Sequence, residues 1–464
     1  MPHPNQSNPS DKENILHFLE NDGNDIKFIN LLFSDILGEL RGFEIPTEEL
    51  EESFIDGKGF DGSSIEGLAR IEESDILAFP QPDTFLVLPW NYSDPDNHPY
   101  RVACLFCDIM NPDRTHYLGD TRYVLKKMLQ KSIDLGFSSF KVGPEMEFFY
   151  FKGMNTPEIL DKGDYFSMGI GDQYDFIRKK TALSFKKMGI ITEYCHHEVA
   201  PSQHEIDLKY MDALRMADTV MLSRFIIKEI ARREGIYATF MPKPLDGENG
   251  SGMHVHQSLW NNKKNAFFSD DDNYHLSDIA KKYLAGLLTH IVEITSILNQ
   301  WVNSYKRLVP GFEAPVYISW GQKNRSALIR IPCYKIGKEE ATRIELRSPD
   351  PACNPYLAFS AMLASGLTGI ENDYELPPAL ENDIYEMSEE EKHKGDITCL
   401  PGTLEDALEK TANSILIKNL LGEHIFEKFL LNKRIQIDNY KVDMGSKYDT
   451  KVSPFEIRHN YPRL

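Results

Sequence analysis

The sequence predicts a protein of mixed α and β structure with two or more domains. The chain has 464 residues, more than a single hydrophobic core usually organises. The first part forms a small α+β pattern, and the rest alternates strand-like with helical segments, as α/β and α+β domains do. Asn111-Pro112-Asp113 marks the boundary, which predicts an N-terminal domain over residues 14–112 and a larger domain over residues 113–464.

The chain begins with a polar segment that contains Pro2 and Pro4, so we expect residues 1–13 to be a disordered arm. Ser10 and Glu13 have capping-box spacing, which predicts a short helix immediately afterwards. The strand-like segments of this domain include a hairpin, and they are Ile26–Ser34, Glu39–Ile45, Thr84–Trp90 and Arg101–Cys107.

The larger domain contains long amphipathic patterns, several of which end at a glycine. The predicted helices are 120–136, 173–188, 211–234, 276–299 and 355–370. The predicted strands are 141–151, 191–199, 205–208, 238–241 and 254–259.

Composition excludes several classes of function. The net charge of −20 argues against nucleic acid or an anionic membrane surface as the main partner. No apolar run reaches the length of a membrane span. Cys104 and Cys107 lie in an apolar strand with no second pair to complete a zinc site, so we expect core cysteines. Six cysteines in so long a chain favour a reducing cytoplasm over a disulfide framework.

Acidic residues recur at strand spacing. Glu145 and Glu147 share one face of a strand, and Glu198 and Glu205 flank a short turn that could bring two strands together. His254 follows a glycine-rich stretch and joins them as a candidate ligand. Carboxylates with one imidazole favour Mg²⁺ or Mn²⁺ over zinc.

Positive charge is concentrated between residues 303 and 347, where nine Lys or Arg residues stand against four Asp or Glu residues. Arginine forks suit phosphate and carboxylate oxygens, and metals with arginines predict phosphoryl transfer. A nucleic-acid groove is the competing interpretation, which the surrounding acids disfavour.

Seven ordered motifs carry a resemblance to a known family. They are Phe60-Asp-Gly-Ser-Ser-Ile65, Gly143-Pro-Glu-Met-Glu147, His196-His-Glu-Val-Ala200, Lys243–Ser258, Asn303–Gly311, Asn324-Arg-Ser326 and Arg343-Ile-Glu-Leu-Arg347. From about residue 14 onward the chain resembles type I glutamine synthetase, and the short segment after Glu147 resembles its I-alpha subclass. The resemblance implies a β-grasp-like N-terminal domain and a catalytic domain built on an antiparallel sheet with flanking helices.

The resemblance also implies an ATP-dependent ligation of ammonium to glutamate through γ-glutamyl phosphate, with two or more Mg²⁺ or Mn²⁺ ions. Two stacked hexameric rings would place each active site between subunits. The implied metal ligands are Glu145, Glu147, Glu198, Glu205, His254 and Glu345. The implied nucleotide contacts are Glu193, Tyr210, His256, Ser258, Arg330 and Arg343. The implied glutamate contacts are Asn249, Gly250, Arg307 and Arg347.

Three further positions match residues that act on the reacting groups. Asp61, from a neighbouring subunit, matches the acid that binds ammonium and takes its proton, and Glu313 matches a flap acid that shields the intermediate. Arg325 matches the arginine that meets the transferred phosphoryl group. Arg70 matches an arginine that senses glutamine, so we expect feedback inhibition.

Two departures from the family pattern concern substrate fit. Ser202 stands where the family usually has glycine, and residues 162–169 form an unusual version of a loop near the glutamate entrance. The alternatives are a related ligase that joins glutamate to a polyamine or other amine, and a non-catalytic nitrogen-sensing relative. Asp61 disfavours the first alternative, and retention of all the implied metal ligands disfavours the second.

Overall fold

The computed structural model describes residues 10–68, 75–382, 384–388, 390, 392, 397–445 and 449–464. The N-terminal domain is built on strands β1 (Ile26–Ser34), β2 (Leu40–Pro46), β3 (Lys58–Asp61), β4 (Asp75–Pro80), β5 (Leu86–Val87), β6 (Tyr92–Ser93) and β7 (Pro99–Met110). They form one sheet in the order β2-β1-β7-β4-β3, with β5 and β6 also paired to β7. The helices α1 (Lys12–Asn21) and α2 (Leu50–Asp56) belong to this domain, so its α+β class is confirmed.

The start of the chain differs from the prediction. Helix α1 begins at Lys12, so the predicted arm over residues 1–13 is too long, and residues 1–9 lie outside the described residues. The cap is Asp11, whose carboxylate accepts a hydrogen bond from the backbone N–H of Asn14, and not Ser10. Asp11 caps the helix because its carboxylate reaches the free N–H groups of the first helical turn. Ile15, at the start of the second turn, is buried.

The predicted hairpin is confirmed, whereas the strand expected over residues 84–90 is mostly irregular. Strands β1 and β2 pair antiparallel. Pro82 begins a short 3-10 turn that ends at Thr84, and only Leu86–Val87 pair with β7. Prolines at positions 82 and 89 remove backbone donors on both sides, which limits the strand to two residues.

The larger C-terminal domain, which the resemblance implies to be catalytic, is built on a second, larger sheet. We call it the catalytic domain. Its strands are β8 (Ser139–Phe151), β9 (Thr192–His197), β10 (Gln203–Leu208), β11 (Met211–Asp212), β12 (Tyr237–Thr239), β13 (Met253–Asn261), β14 (Lys264–Asn265), β15 (Tyr317–Gly321), β16 (Ala327–Arg330) and β17 (Ile344–Leu346). The order is β15-β16-β17-β13-β8-β10-β9. The pairs are antiparallel except β15 with β16, so the predicted antiparallel catalytic sheet is confirmed.

Helices cover this sheet. They are α3 (Thr121–Asp134), α4 (Asp175–Lys187), α5 (Ala213–Arg233), α6 (Asp278–Leu298), α7 (Ser304–Arg307), α8 (Pro355–Glu371), α9 (Leu404–Ala412), α10 (Ile415–Met444, with a kink at Gly422) and α11 (Pro454–His459). Helices α3 and α5 pack against β8, and α6 packs against α8. Cys104 and Cys107 are buried and unbridged, as predicted.

A buried turn joins the two domains. The Gln300 side-chain amide donates to the carbonyls of Leu37 and Ala352, at 2.7 and 2.8 Å. Lys433, fully buried on α10, donates to the Gln300 amide oxygen at 2.8 Å. The turn after β1 is therefore anchored in the catalytic domain by buried hydrogen bonds.

Candidate active site

Acidic side chains converge on the central strand of the catalytic sheet. Glu145 and Glu147 lie two residues apart on β8 and therefore point to the same face. In the sheet register Glu205 on β10 stands opposite Glu147, and His254 on β13 stands opposite Glu145. Glu345 on β17 lies one strand further out. Residues far apart in the sequence thus meet on one face.

One group comprises Glu145, His254 and Glu345, whose ligand atoms lie within 4.8 Å of one another. His254 Nδ1 is 2.9 Å from Glu145 Oε2 and 3.6 Å from Glu345 Oε1. Because burial lowers the pKa of His254, the imidazole is neutral near pH 7. A neutral ring that donates from Nδ1 keeps an Nε2 lone pair, which lies 4.0 Å from Glu147 Oε1.

A second group comprises His196, Glu198 and Glu205, all buried and also within 4.8 Å. His196 Nε2 is 3.4 Å from Glu205 Oε1. Glu147 lies between the two groups, and its Oε2 accepts from the Gln203 amide at 3.0 Å and from the Gly252 N–H at 2.9 Å. These four carboxylate and imidazole groups, with those of the first group, can hold divalent cations.

Burial dominates the electrostatics of the acids. Burial raises the pKa of Glu147 well above the usual range, and the neighbouring carboxylate of Glu198 raises it further. The pKa of Glu205 is raised in the same way by burial and by the neighbouring Asp207. Burial raises the pKa of Glu198 to about 7, and the carboxylate of Glu313 contributes in the same direction. Such shifts identify a site that needs a compensating cation.

Glu145 behaves differently. Burial works against its ionisation, but hydrogen bonds from His254 and His256 hold its pKa well below the usual range. His256 Nε2 lies 2.7 Å from Glu145 Oε1, and Arg343 Nε donates to His256 Nδ1 at 3.2 Å. The arginine therefore fixes which ring nitrogen faces the carboxylate.

Arginines lie around the first group of ligands, at Glu345. Arg330 Nε donates to Glu345 at 2.5 Å, and Arg347 Nε lies 3.4 Å from the same carboxylate. Arg347 also donates to the backbone carbonyl of Arg325, whose own side chain is exposed. Arg307 is buried and donates to the Ser348 carbonyl at 2.7 Å. Four of the predicted arginines thus lie around the acids or on segments bonded to them.

The glycine-rich segment before β13 allows a close approach. A Cβ atom at Gly252 would lie 2.5 Å from Arg307 Nη2 and 3.1 Å from Glu147 Oε1, so a side chain does not fit. The Gly250 carbonyl accepts from Gln203 at 3.1 Å, and the neighbouring Asn249 is half-buried. The predicted glutamate contacts Asn249, Gly250 and Arg307 therefore lie beside Glu147.

Two of the predicted nucleotide contacts, Tyr210 and Ser258, lie beside Trp260, and a third, Glu193, lies at the edge of the sheet. The rings of Tyr210 and Trp260 are nearly parallel with centroids 6.5 Å apart, and Lys141 Nζ lies 3.8 Å from the Trp260 ring. Ser258 is buried and accepts from the Trp260 indole N–H at 2.9 Å. Glu193 is exposed on β9, the last strand in the sheet order.

Asp61 and Glu313 are exposed, and Glu313 lies near Glu198 of its own chain. Asp61 ends the edge strand β3, and its carboxylate accepts from the Ser63 N–H at 2.9 Å, which caps a 3-10 turn. Arg70 lies outside the described residues.

Sequence reasoning missed three polar residues of the site. Gln203 and Asp207 lie on the same face of β10 as Glu205, and burial raises the pKa of Asp207 to about 6. Burial and the nearby Asp207 raise the pKa of the Tyr194 hydroxyl. The spacing of two residues between 203, 205 and 207 was the signal that could have identified the two on β10.

Buried acids that can hold two cations, beside arginines suited to phosphate oxygens, define a metal-dependent enzyme that handles phosphate groups. The family model for the glutamine synthetase catalytic domain matches residues 118–457, and the model for the glutamine synthetase β-grasp domain matches residues 25–112. The chain belongs to the glutamine synthetase family. Its α+β fold, with a β-grasp domain before the catalytic domain, is that of the family.

Relatives agree with this assignment over nearly the whole chain. A glutamine synthetase of Mycolicibacterium smegmatis is 47% identical over 457 residues, covering 98% of this chain and 99% of the relative. One of Methanosarcina mazei is 46% identical over 434 residues, covering 93% and 95%. A solved structure of apo GmaS without ligand has a TM-score of 0.82 and 29% identity, covering 96% of this chain and 98% of that one.

The protein is therefore an enzyme that makes glutamine with ATP, from glutamate and ammonium, and the family uses a divalent metal. The amine-ligase and non-catalytic alternatives are not favoured. Among the described residues, no helix is both long enough and apolar enough to span a membrane.

Proposed function

We propose that this glutamine synthetase works through γ-glutamyl phosphate, with the residue roles that the motifs imply. The observation that carries the proposal is the convergence of five carboxylates and one imidazole on a single face of the catalytic sheet, with arginines around them. These groups are Glu145, Glu147, Glu198, Glu205, Glu345 and His254.

The donor set fits divalent cations. Oxygen ligands with one neutral imidazole suit Mg²⁺ or Mn²⁺, and the raised pKa values of Glu147, Glu198 and Glu205 reflect buried acids without enough positive charge. We assign these three acids to one cation, and Glu145, His254 and Glu345 to the other. When bound, the cations offset the repulsion between the carboxylate and the phosphates.

The side chains around the acids divide the substrates between two flanks. Asn249, Gly250 and Arg307, beside Glu147, hold glutamate together with Arg347, which lies beside Glu345. The residues that hold the nucleotide on the other flank are Glu193, Tyr210, His256, Ser258, Arg330 and Arg343. Arg325, exposed on its loop, is free to turn toward the transferred phosphoryl group and offset its charge.

Two acids act on the second half of the reaction. Glu313, on the loop before β15, shields the acyl phosphate from water. Asp61 binds ammonium and takes its proton, and the neutral amine then attacks the acyl carbon while phosphate leaves. Because Asp61 ends an exposed edge strand of the N-terminal domain, we propose that it completes the site of a neighbouring subunit.

This arrangement requires an oligomer, for which we propose a dodecamer of two hexameric rings in the cytoplasm. We also propose the I-alpha subclass, feedback inhibition through Arg70, and the domain division at residue 112. Glutamine inhibition that persisted unchanged in Arg70→Ala would contradict the regulatory part.

The test measures phosphate release with glutamate, ATP and Mg²⁺, in parallel with ammonium and with a panel of polyamines. We expect turnover with ammonium that Glu345→Ala abolishes, that Asp61→Ala sharply reduces, and that the exposed control Glu340→Ala leaves unchanged. Turnover with amines alone would reassign the substrate.

Mixed oligomers test the shared site. Asp61→Ala and Glu345→Ala chains that assemble randomly in equal amounts should regain about a quarter of the wild-type activity, because some sites then receive both intact residues. If both residues served the same chain's site, mixing would restore nothing.

A further inference from the structure

A second polar cluster lies behind the acids, on the other face of the same two strands. In β9 and β10, His197 stands opposite His204, while His196 stands opposite Glu205. Because neighbouring strand residues point to opposite faces, the first pair faces away from the acids. There it meets Asp161, at the start of the loop 161–171, and all three side chains are buried.

Asp161 and Ser202 bind each other's backbone. Asp161 Oδ1 accepts from Ser202 N at 2.9 Å, from His197 Nε2 at 2.9 Å and from Gly163 N at 3.3 Å. In return Ser202 Oγ accepts from the backbone N–H groups of Leu160 at 2.7 Å and Asp161 at 3.3 Å. These reciprocal bonds, which we call the 161–202 clasp, tie the loop to the β9–β10 turn.

The clasp holds an unfavourable backbone conformation. Ser202 has a φ of 64°, in the left-handed region that residues other than glycine rarely adopt. It is fully buried, so water cannot satisfy the N–H groups that its hydroxyl accepts from. Because this serine stands where the family usually has glycine, we take the hydroxyl's two hydrogen bonds as what compensates for the strain.

The chemistry of the cluster disfavours a third cation. Arg178 Nη1 lies 2.6 Å from His204 Nδ1, and the same guanidinium pairs with Asp172. Arginine only donates, so Nδ1 of His204 accepts and Nε2 carries the proton, 4.0 Å from Asp161 Oδ2. The cluster is therefore a hydrogen-bonded support with its own positive charge.

The clasp is connected to the site on both of its sides. On the loop side, the Phe166 ring stacks on His196 with centroids 4.3 Å apart. On the turn side, Gln203 follows Ser202 directly and donates to Glu147 at 3.0 Å and to the Gly250 carbonyl at 3.1 Å. A shift of this turn would displace both a candidate metal ligand and a candidate glutamate contact.

We propose that Asp161 and Ser202 are positioning residues. Their clasp holds Gln203 and the 161–171 loop, so that the metal ligands on β8 to β10 and the glutamate contacts keep their geometry. The inference rests on the proposed function. It predicts a selective effect, because the proposed nucleotide contacts His256, Ser258 and Arg330 lie on β13 and β16, on the far side of β8 from the clasp. Among the proposed nucleotide contacts, Glu193 lies on β9 and is exposed.

The test compares Ser202→Ala and Ser202→Gly with Asn262→Gly, a control that replaces another residue at positive φ, on an exposed turn. Loss of the buried acceptor should raise the KM for glutamate and the half-saturating Mn²⁺ concentration by about three- to tenfold, with the KM for ATP within about twofold. Chymotrypsin should also cleave faster after Tyr165 and Phe166, which are half-exposed.

Wild-type values for glutamate and Mn²⁺ in Ser202→Gly would overturn the proposal, because the hydroxyl would then be dispensable. Equal increases for ATP and glutamate would also overturn it, since they indicate general loosening. If Ser202→Ala does not fold, Asp161→Ala, which removes the acceptor Oδ1, must show the same selective pattern. Failure of the proposed function would appear as wild-type protein without turnover, and the protease comparison would still decide whether the clasp holds the loop.

Discussion

Metal binding to this enzyme should depend steeply on pH, because cations must displace protons from buried acids. The pKa of Glu198 is about 7 in the metal-free protein, mainly because of burial. At pH 6 such a group is only about 10% ionised, and at pH 8 it is about 90% ionised, so this residue alone should strengthen apparent binding about tenfold between the two values.

The other candidate ligands decide whether metal affinity depends on pH more steeply than Glu198 alone would make it. The pKa values of Glu147 and Glu205 are raised well above their usual range by burial, so each adds proton displacement. Glu145 adds none, because its pKa is lowered despite burial by hydrogen bonds from His254 and His256. Burial lowers the pKa of His254, which reduces the number of protons that its ring has to release. We therefore expect an increase of at least about tenfold.

The sign for stability follows from the same shifts. A carboxylate whose pKa is raised on folding stabilises the metal-free protein below the unfolded value of about 4.5. That contribution is lost as the pH rises through about 7, the folded value for Glu198. The melting temperature of metal-free protein should therefore fall between pH 5 and pH 8, and saturation with Mg²⁺ or Mn²⁺ should remove most of the decline.

Calorimetric titration of metal-free protein with Mn²⁺ at pH 6 and pH 8 measures the affinities, and buffers of different ionisation enthalpy measure the protons released. Glu198→Gln should weaken binding and flatten its pH dependence, whereas the exposed Glu158→Gln should change neither. Equal affinities at both pH values, without proton release, would refute the reasoning.

Two further predictions concern stability. Lys306 and Glu456 form an ion pair with both side chains fully buried, so Glu456→Gln should lower the free energy of unfolding by about 3 kcal/mol. The control Lys441→Met breaks an exposed pair with Glu405 and should lower it by less than about 1 kcal/mol. Thermal melts of metal-saturated protein test this, and equal losses would contradict it. A Cβ at Gly369 on α8 would lie 2.2 Å from the carbonyl oxygen of Lys282 on α6, so Gly369→Ala should lower the free energy of unfolding by about 1–3 kcal/mol. A Cβ at Gly402 would face open space, so Gly402→Ala should leave the same melts unchanged.

Much of the fold followed from local patterns. The helix predicted over residues 355–370 is Pro355–Glu371 in the structure, and the strand predicted over 141–151 is Ser139–Phe151. Periodicities of 3.6 and 2 residues, with caps and glycine stops, are written within a few turns of chain. The cap predicted at Ser10 was wrong, because the carboxylate of Asp11 accepts from the Asn14 N–H and begins the helix at Lys12.

Some residues of the candidate site can likewise be predicted from local patterns, and others cannot. Glu145 and Glu147 are recognisable from their spacing alone, since a strand must bring both to one face. The motifs of the family supply the other roles, and Glu345 among them has no local signal that links it to an acid 200 residues earlier.

Local patterns and motifs were therefore enough to predict the class of fold, the family and the pair of acids on β8. Which strands are neighbours emerged only in the folded chain, which places Glu345 beside His254, Gln203 against Glu147, and Asp161 behind the turn at Ser202. The physical reason is that strand register and burial depend on contacts between distant segments, whereas propensity and periodicity act only along the chain.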